Sequence, residues 1–310
     1  MVSMNRLSTE QRAQVVGCLV EGTSIRATVR LTGAAKNTVT KLLVDLGQAC
    51  SDYQDRVLRD LPSKRIECDE IWSFVYAKDR NLPEHMQDES GVGSVWTWTA
   101  IDSDSKLVPS WLVGERSPAD AYAFVSDLAS RLAKRVQLST DGNRLYLTAV
   151  EDAFGADVDY AMIVKLYGSD LEEAKRYSPA KCIGVEVHPI YGDPDPRHIS
   201  TSYVERQNLT MRMGMRRMTR LTNAFSKKAE NLAAAVSLHF MHYNFARPHK
   251  SLSRPYPTTP AMAAGVADHV WAYGSFASGI VTSGSLPSGR HPAHSADRGL
   301  GQQPRDLLKP

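Results

Sequence analysis

The sequence predicts a mixed α/β protein, in which a β-sheet flanked by helices follows a small all-helical domain. Hydrophobic residues recur at helical spacing in the first 46 residues, and three strand-like runs then follow one another from residue 65 onward. Helices and strands alternate after that up to residue 167, as expected for a sheet covered by helices. The chain has 310 residues, more than the roughly 100–200 expected of one domain, so we expect two domains with flanking segments.

The N-terminal segment predicts three short helices. Ser8 and Gln11 form a capping box before the first helix, and Ser24 caps a second helix that stops at Gly33. A third helix is expected over residues 36–46. Its exposed face carries Lys36, Asn37, Thr40 and Lys41. A glycine turn before a third helix with a polar face is typical of a helix-turn-helix that binds DNA, and a simple three-helix packing module is the alternative.

The central part of the chain predicts three meandering strands and then alternating helices and strands. The antiparallel strands are expected at residues 65–76, 95–101 and 107–114. A helix begins at Ser117-Pro118, a strand over 136–140 ends at Asp141, a helix begins near Ala149, and a strand covers 160–167. This is the element order of the ribonuclease H-like fold.

These patterns divide the chain into four segments. We expect a helix-turn-helix domain at 1–47, a helical linker at 48–64, the sheet domain at 65–270 and a disordered tail at 271–310. The tail is rich in Gly, Ser, Pro and His and has no hydrophobic periodicity. An acidic stretch from Ser169 to Pro196 looks like an insertion into the sheet domain.

Composition excludes several classes of protein. No run approaches the ~20 apolar residues that a membrane span needs, and the N-terminus lacks the apolar stretch of a signal peptide. The four cysteines are scattered without a Cys-x-x-Cys pair, which argues against a zinc ribbon and a disulfide framework. We therefore expect a cytoplasmic protein with reduced thiols and no membrane partner.

Charge is segregated along the chain. Residues 61–196 hold 14 Lys and Arg against 23 Asp and Glu, whereas residues 197–254 hold 11 against 2. An acidic block followed by a basic block is typical of a protein that binds cations at one place and a polyanion at another. The alternative is two solvated surfaces that attract each other.

Three acidic residues in different local settings are the candidate catalytic and metal-binding residues. Asp69 lies within a strand, Asp141 ends another strand, and Glu205 lies near the start of a later helix. Such carboxylates can converge at the rim of a sheet, where they repel each other unless divalent cations neutralise them. Oxygen ligands suit two Mg²⁺ or Mn²⁺ ions held ~4 Å apart, an arrangement used for displacement at phosphorus. Strand alternation places Glu70 on the opposite face and argues against it as a ligand.

Each acid also has a structural interpretation. Asp69 could accept hydrogen bonds from a loop, and Asp141 could belong to a simple turn. Glu205 could be an ordinary first-turn glutamate that the helix dipole stabilises. Glu151 and Asp152 are the alternatives to Glu205 as third ligand.

The stretch after Glu205 is basic and predicts a DNA-binding surface. Asn208, Arg212 and Arg216 share the face of Glu205, at spacings of three, seven and eleven residues. The candidate DNA contacts in this stretch are Arg206, Asn208, Arg212, Arg216, Arg217 and Arg220. Four methionines in the same region, between residues 211 and 218, are expected to pack rather than to bind a cofactor.

Taken together, these motifs resemble bacterial insertion-sequence transposases of the DDE class. The residues around Asp69 (Cys-Asp-Glu-Ile-Trp), around Asp141 (Ser-Thr-Asp-Gly-Asn) and from Ser202 to Leu209 are similar to the three acidic motifs of that class. Residues 243–252 resemble the segment that closes its catalytic domain, so the resemblance covers residues 8–270. The acids lie 72 and 64 residues apart, and the second gap is longer than in compact members.

The resemblance implies a ribonuclease H-like catalytic domain with a divalent-metal triad of Asp69, Asp141 and Glu205. It also implies binding of double-stranded DNA, both at the terminal inverted repeats of a mobile element and at the target. Joining two element ends implies at least a dimer, and the location would be the bacterial nucleoid. Asn244, Arg247 and His249 could contact phosphate, but a role in ending their helix is favoured because Pro248 must stop it.

The sequence thus predicts a DNA transposase that cleaves and transfers strands. A ribonuclease H-like nuclease or resolvase without strand transfer fits the acids equally well. A non-catalytic, transposase-derived DNA-binding regulator is the second alternative, and the three intact acids argue against it. A glycosidase with paired carboxylates ranks below both because that function does not explain the basic helix.

Overall fold

The computed structural model describes residues 7–87, 89–167, 182–219 and 222–276. Its helices are α1 (Thr9–Val20), α2 (Ile25–Thr32), α3 (Lys36–Val57), α4 (Pro118–Arg131), α5 (Leu145–Phe154), α6 (Ser202–Gly214), α7 (Ala229–Met241) and α8 (Pro260–Ala263). Its strands are β1 (Arg65–Val75), β2 (Gly93–Asp102), β3 (Trp111–Gly114), β4 (Val136–Asp141), β5 (Val158–Tyr167) and β6 (Cys182–Tyr191). A helix that could cross a membrane is not found in the part of the chain that the structure describes.

The six strands form one mixed sheet in the order β3-β2-β1-β4-β5-β6. Strands β1, β2 and β3 form an antiparallel meander, and β4 and β5 continue the sheet parallel to β1. This is the predicted arrangement of a sheet flanked by helices, and its strand order is compatible with a ribonuclease H-like fold. Strand β6, which the sequence left unassigned, pairs antiparallel with β5 at the edge of the sheet.

Helices cover both faces of the sheet. Helices α4 and α5 pack on one face through a core that includes Trp98, Phe124 and Tyr146. Helices α6 and α7 pack on the other face, where Val204 and Phe240 are fully buried. The methionines at 211, 215 and 218 lie in this second core, whereas Met213 is 76% exposed.

The N-terminal helices follow the predicted order and caps. The capping box of Ser8 and Gln11 is present, Ser24 caps α2, and Gly33 ends α2 in the left-handed conformation. The third helix differs from the expectation, because α3 runs without a break to Val57 and includes most of the predicted linker. A single glycine such as Gly47 is tolerated inside a helix and no proline occurs before Pro62, so the third helix continues through most of the predicted linker.

Helix α3 packs directly against α7 rather than forming a core of its own. A Cβ atom on Gly47 would lie 2.5 Å from the backbone of Ala234, so only glycine permits this approach. The core shared by α1, α2, α3 and α7 also includes Trp271 and Phe276, and Phe276 is fully buried. The expected tail boundary at residue 271 is therefore too early; residues 277–310 lie outside the described part.

Three other boundaries differ from the expectations. Helix α5 begins at Leu145, four residues before the predicted start near Ala149. The third strand was expected over residues 107–114, but β3 contains only the last four of these. Residues 107–110 run alongside β2 and are joined to it by single hydrogen bonds. Helix α6 ends at Gly214, so Arg216 lies in a separate 3₁₀ turn and not on the helix face predicted from its spacing.

Candidate metal centre at the end of the parallel strands

The sheet brings the first two predicted acids together. The parallel ladder between β1 and β4 ends at the pair Cys68–Thr140, so the next residue of each strand is an aspartate. Asp69, within β1, and Asp141, at the end of β4, are therefore neighbours at the point where the two parallel strands separate.

Glu70 joins these two aspartates. One carboxylate oxygen of each of Asp69, Glu70 and Asp141 lies within 4.8 Å of the others. Alternation does turn Glu70 toward the face of α4 and α5, as predicted. Its carboxylate nevertheless lies within reach of both aspartates, so strand alternation alone was not sufficient to exclude it as a ligand.

Polar neighbours hold the three acids in place. The side-chain amide of Asn143 donates to Glu70 Oε1 at 2.6 Å, and the backbone N–H of Asn143 donates to Asp141 Oδ1 at 3.1 Å. On the other face, the side-chain amide of Asn208 donates to Asp69 Oδ2 at 2.8 Å. The second atom of that amide, Asn208 Oδ1, is buried and has no hydrogen-bond partner among the described residues.

The electrostatics of the cluster are unfavourable when all three acids are ionised. Burial, followed by the charges of Asp141 and Glu70, raises the pKa of Asp69 to about 7. Burial and the charge of Asp141 raise the pKa of Glu70 to about 7, and burial also raises the pKa of Asp141. Arg116 is the nearby cation, with Nη2 3.5 Å from Glu70 Oε2.

The third predicted acid, Glu205, lies close by but outside this group. It influences Asp69 and Asp141 electrostatically, yet its carboxylate forms an ion pair with the ammonium group of Lys165 on β5. Thr201 Oγ1 donates to Glu205 Oε1 at 2.7 Å. The alternative third ligands are distant: Glu151 lies beside Tyr191, whose register places it at the opposite end of the sheet, and Asp152 is exposed on the same helix.

A buried glutamate on β1 fixes the helix that carries Glu205. Glu67 Oε2 accepts the backbone N–H groups of Tyr203 at 2.7 Å and Val204 at 3.1 Å. These are first-turn donors of α6, which Thr201 at the cap position leaves without a side-chain acceptor. The negative charge also lies at the positive end of the helix dipole. Glu67 thus attaches α6 to the strand that bears Asp69.

The donor set fits a hard divalent cation. Three carboxylates and an unpaired amide oxygen converge in a partly buried place, where Arg116 and Lys165 offset only part of their charge. All-oxygen sites suit Mg²⁺ or Mn²⁺ rather than softer metals. Sequence reasoning found Asp69 and Asp141 but missed Glu67, Glu70, Arg116 and Lys165, of which only Glu70 carried a local signal, as the second acid of the Asp-Glu pair.

The predicted DNA-contacting residues of the basic stretch have different environments. Arg206 and Arg216 are exposed, and Arg212 donates to the carbonyl of Met218 at 3.0 Å. Arg217 is half-buried: it donates to Ser226 and to the carbonyl of Asn231, and burial lowers its pKa to about 10. A phosphate contact by Arg217 or by the buried Asn208 would require these internal contacts to break, and Arg220 lies outside the described residues.

The other predicted DNA contacts differ in their exposure. Lys36 and Asn37 are exposed at the start of α3, and Thr40 is half-buried. Lys41 is exposed and pairs with Asp45 at 2.6 Å. Asn244 has a structural role, but not the expected one of ending its helix: its buried side-chain amide accepts the N–H of Val108 and donates to the carbonyl of Val108, both at 3.0 Å.

Comparisons with known proteins add little to this geometry. The sequence matches no protein-family model, and no curated protein is similar to it. Among solved structures, it is similar to the synaptic complex of piggyBac transposase with hairpin DNA, determined by cryo-electron microscopy. The identity is 10%, the TM-score is 0.38, and the alignment covers 91% of this chain and 72% of that chain. A TM-score this low does not by itself establish a shared fold.

Proposed function

We propose that this protein is a DNA transposase, which binds the terminal inverted repeats of a mobile element and catalyses metal-dependent strand cleavage and transfer. The observation that carries the proposal is the convergence of Asp69, Asp141 and Glu70 at the end of two parallel strands, with Glu205 close by on α6. Support also comes from the three acidic motifs, which resemble those of the DDE class.

Asp69, Asp141 and Glu205 would hold two Mg²⁺ or Mn²⁺ ions, with Glu70 as a further ligand or neighbour. When bound, such ions lower the pKa of an attacking water or hydroxyl group and neutralise charge on the leaving oxygen. Other residues of the chain position the metal-binding acids. Asn143 and Asn208 orient the inner acids, and Glu67 sets the position of α6.

DNA would be bound by two separate surfaces. The exposed residues at the start of α3 would contact the element ends, as a helix-turn-helix does, and the exposed arginines Arg206 and Arg216 would neutralise phosphates near the metal centre. Since two element ends have to be joined, the active form would be at least a dimer on DNA.

The test is an assay of strand cleavage and joining. Purified protein is incubated with Mg²⁺ and labelled duplexes taken from the DNA on either side of the coding sequence, and nicked and joined products are separated. We expect Asp69→Asn, Asp141→Asn and Glu205→Gln to abolish both products while DNA binding remains, because each change removes a ligand charge with little change in volume. The matched controls are Asp152→Asn and Glu230→Gln, which are exposed on other helices.

The products distinguish the proposal from its alternatives. Nicked products without joined ones would identify a nuclease or resolvase. Specific DNA binding without any metal-dependent product would identify a regulator. Cleavage near the wild-type level in any one of the three variants would remove that residue from the metal centre.

A further inference from the structure

Strands β1 and β2 continue as a two-stranded ribbon beyond the metal centre. The β1–β4 ladder ends at Cys68, whereas β1 and β2 remain paired as far as Val75 and Gly93. On this ribbon Trp72 lies directly opposite Trp96, and both indoles are half-buried. Glu70 lies on the same face, two residues before Trp72, which corresponds to about 7 Å along a strand.

The two tryptophans belong to a row of neighbouring aromatic side chains, in which Phe74 is buried and which we name the aromatic strip. Its members are Trp72, Phe74, Trp96 and Phe225. The ring centroids of Trp72 and Phe74 are 5.9 Å apart, and those of Phe74 and Phe225 are 5.0 Å apart.

Three cations lie over this strip. The guanidinium carbon of Arg116 is 4.9 Å from the centre of the Trp96 ring, Lys78 Nζ is 5.7 Å from that of Trp72, and Lys227 Nζ is 4.5 Å from that of Phe225. Neither lysine forms an ion pair with a carboxylate in the described ranges. Cations that only cover a hydrophobic surface would have the same geometry. Because the strip is continuous with the metal centre, we favour the interpretation that these cations and rings bind a ligand.

Arg116 connects the strip to the acids. It lies over Trp96 and also 3.5 Å from the carboxylate of Glu70, which is part of the metal centre. A phosphate held by ions at that centre would therefore be close to a guanidinium group and to the indoles behind it. Aromatic rings that stack on bases, combined with cations that neutralise the backbone, are the usual means of binding unpaired nucleic acid without reading its sequence.

We propose that the aromatic strip binds an unpaired base of the DNA strand next to the phosphate that is cleaved. Trp72 and Trp96 stack on the base, while Lys78, Lys227 and Arg116 neutralise the adjoining backbone. The inference rests on the proposed function, because it takes DNA as the substrate of the neighbouring centre. Base extrusion costs a few kcal/mol in a duplex, and a stacking partner offsets part of that cost.

The test measures binding of single-stranded DNA in EDTA, so that it does not depend on metal or on cleavage. The probe is a fluorescent oligothymidine of about 12 nucleotides, followed by anisotropy with the full chain. We expect Trp72→Leu and Trp96→Leu each to weaken binding by roughly 5- to 150-fold, which is the effect of losing one base–aromatic stack. The conservative variants Trp72→Phe and Trp96→Phe should restore most of the affinity.

The controls separate stacking from charge and from folding. Tyr256→Leu removes an aromatic residue that is 74% exposed outside the strip, and should change the affinity less than about twofold. A blunt duplex should bind both Leu variants within about threefold of wild type, because a paired base cannot stack on the strip. Asp152→Asn, an exposed change outside the site, should bind the oligothymidine normally, and because the assay is run in EDTA a failure of the proposed catalysis would not affect it.

If the Leu variants do not fold, crosslinking of wild-type protein to the same probe carrying 5-iododeoxyuridine replaces them. The inference predicts crosslinks within residues 65–78, 93–102 or 222–228, found by mass spectrometry. Crosslinks confined to other segments would overturn it. Folded Trp72→Leu and Trp96→Leu proteins that bind the oligothymidine like wild type, or that lose duplex and single-stranded DNA equally, would overturn it as well.

Discussion

The candidate site has two acidic regions, which differ in burial and in the cations beside them. The inner acids Asp69, Glu70 and Asp141 lie close together, and the side chain of Glu70 is only 2% exposed. The outer acid Glu205 is 41% exposed on its side chain and is paired with an internal ammonium group, that of Lys165. The inner acids thus lack sufficient positive charge, whereas the outer acid has a cation that the protein itself supplies.

The difference indicates how a divalent ion would change each region. For the inner acids, an ion would relieve repulsion and a desolvation cost that raises the pKa of Asp69 and of Glu70 to about 7. For Glu205, an ion would have to replace Lys165. Burial is the largest single influence on Lys165 and lowers its pKa, but the hydrogen bond to Glu205 and the negative charges around it together outweigh burial and raise the pKa. The two regions should therefore respond differently to mutation, pH and metal.

The largest expected effect concerns Glu67, which connects the two regions through α6. Glu67→Leu should lower the free energy of unfolding by about 2–4 kcal/mol, because two buried N–H groups lose their acceptor. Glu67→Gln keeps one acceptor oxygen and should cost about 1 kcal/mol. Chemical denaturation of the metal-free protein measures both values. Equal stability of wild type and Glu67→Leu would show that α6 is held by its apolar packing alone.

The next effect is the pH dependence of stability without metal. The pKa of Asp69 is about 7 in the folded protein, above its ordinary value of 3.8, so the folded state binds the additional proton. The stability associated with Asp69 is therefore greatest at low pH and is lost as the pH rises through 7. We expect the free energy of unfolding of Asp69→Asn to fall less steeply than that of wild type between about pH 4 and pH 7.

Denaturation curves across that interval measure the difference. The exposed residue Asp152 provides the control, since Asp152→Asn should follow the wild-type curve. If Asp69→Asn also follows it, the inner acids do not repel one another in the folded protein, and the contrast with Glu205 disappears.

The smallest effect concerns Lys165, the internal cation of the outer region. Lys165→Met leaves Glu205 without its ion pair, so an incoming ion no longer has to displace the ammonium group. We expect the midpoint of Mg²⁺ binding to move to roughly tenfold lower concentration, equivalent to about 1.4 kcal/mol. The increase in melting temperature with Mg²⁺ concentration reports the midpoint. Lys134→Met, at the opposite end of the sheet, should leave it unchanged; a weaker Mg²⁺ affinity of Lys165→Met would mean that Lys165 assists the ion instead.

Local sequence patterns were sufficient for most of the sheet and for part of the site. Alternating hydrophobic residues gave β1, β2, β4 and β5, and with them the adjacency of Asp69 and Asp141. Glu70 was not chosen as a ligand because strand alternation places it on the opposite face from Asp69. Alternation was not sufficient here, since it does not show where a neighbouring strand ends. Such endings are tertiary features.

The remaining contacts were invisible for the same reason. Glu67 meets the start of α6, which lies 136 residues later in the chain, and Lys165 meets Glu205 across 40 residues. Helical spacing suggested that Arg216 shares a face with Glu205, but α6 ends at Gly214 and the spacing no longer applies. The basic composition around Arg217 likewise did not reveal that its guanidinium group is hydrogen-bonded inside the protein, to Ser226 and to the carbonyl of Asn231.

The central claim, that these acids form a divalent-metal centre, is tested most directly by counting bound Mn²⁺ by electron paramagnetic resonance at neutral pH. For the wild-type protein we predict two bound ions per chain, as in two-metal phosphoryl-transfer sites. Asp141→Asn, which changes an inner acid that Glu205 also influences, should weaken the binding of both ions. Glu205→Gln should mainly weaken the binding of one ion, and Asp152→Asn should change neither. The absence of specifically bound Mn²⁺ in the wild-type protein, or the same binding by Asp141→Asn, would contradict the account.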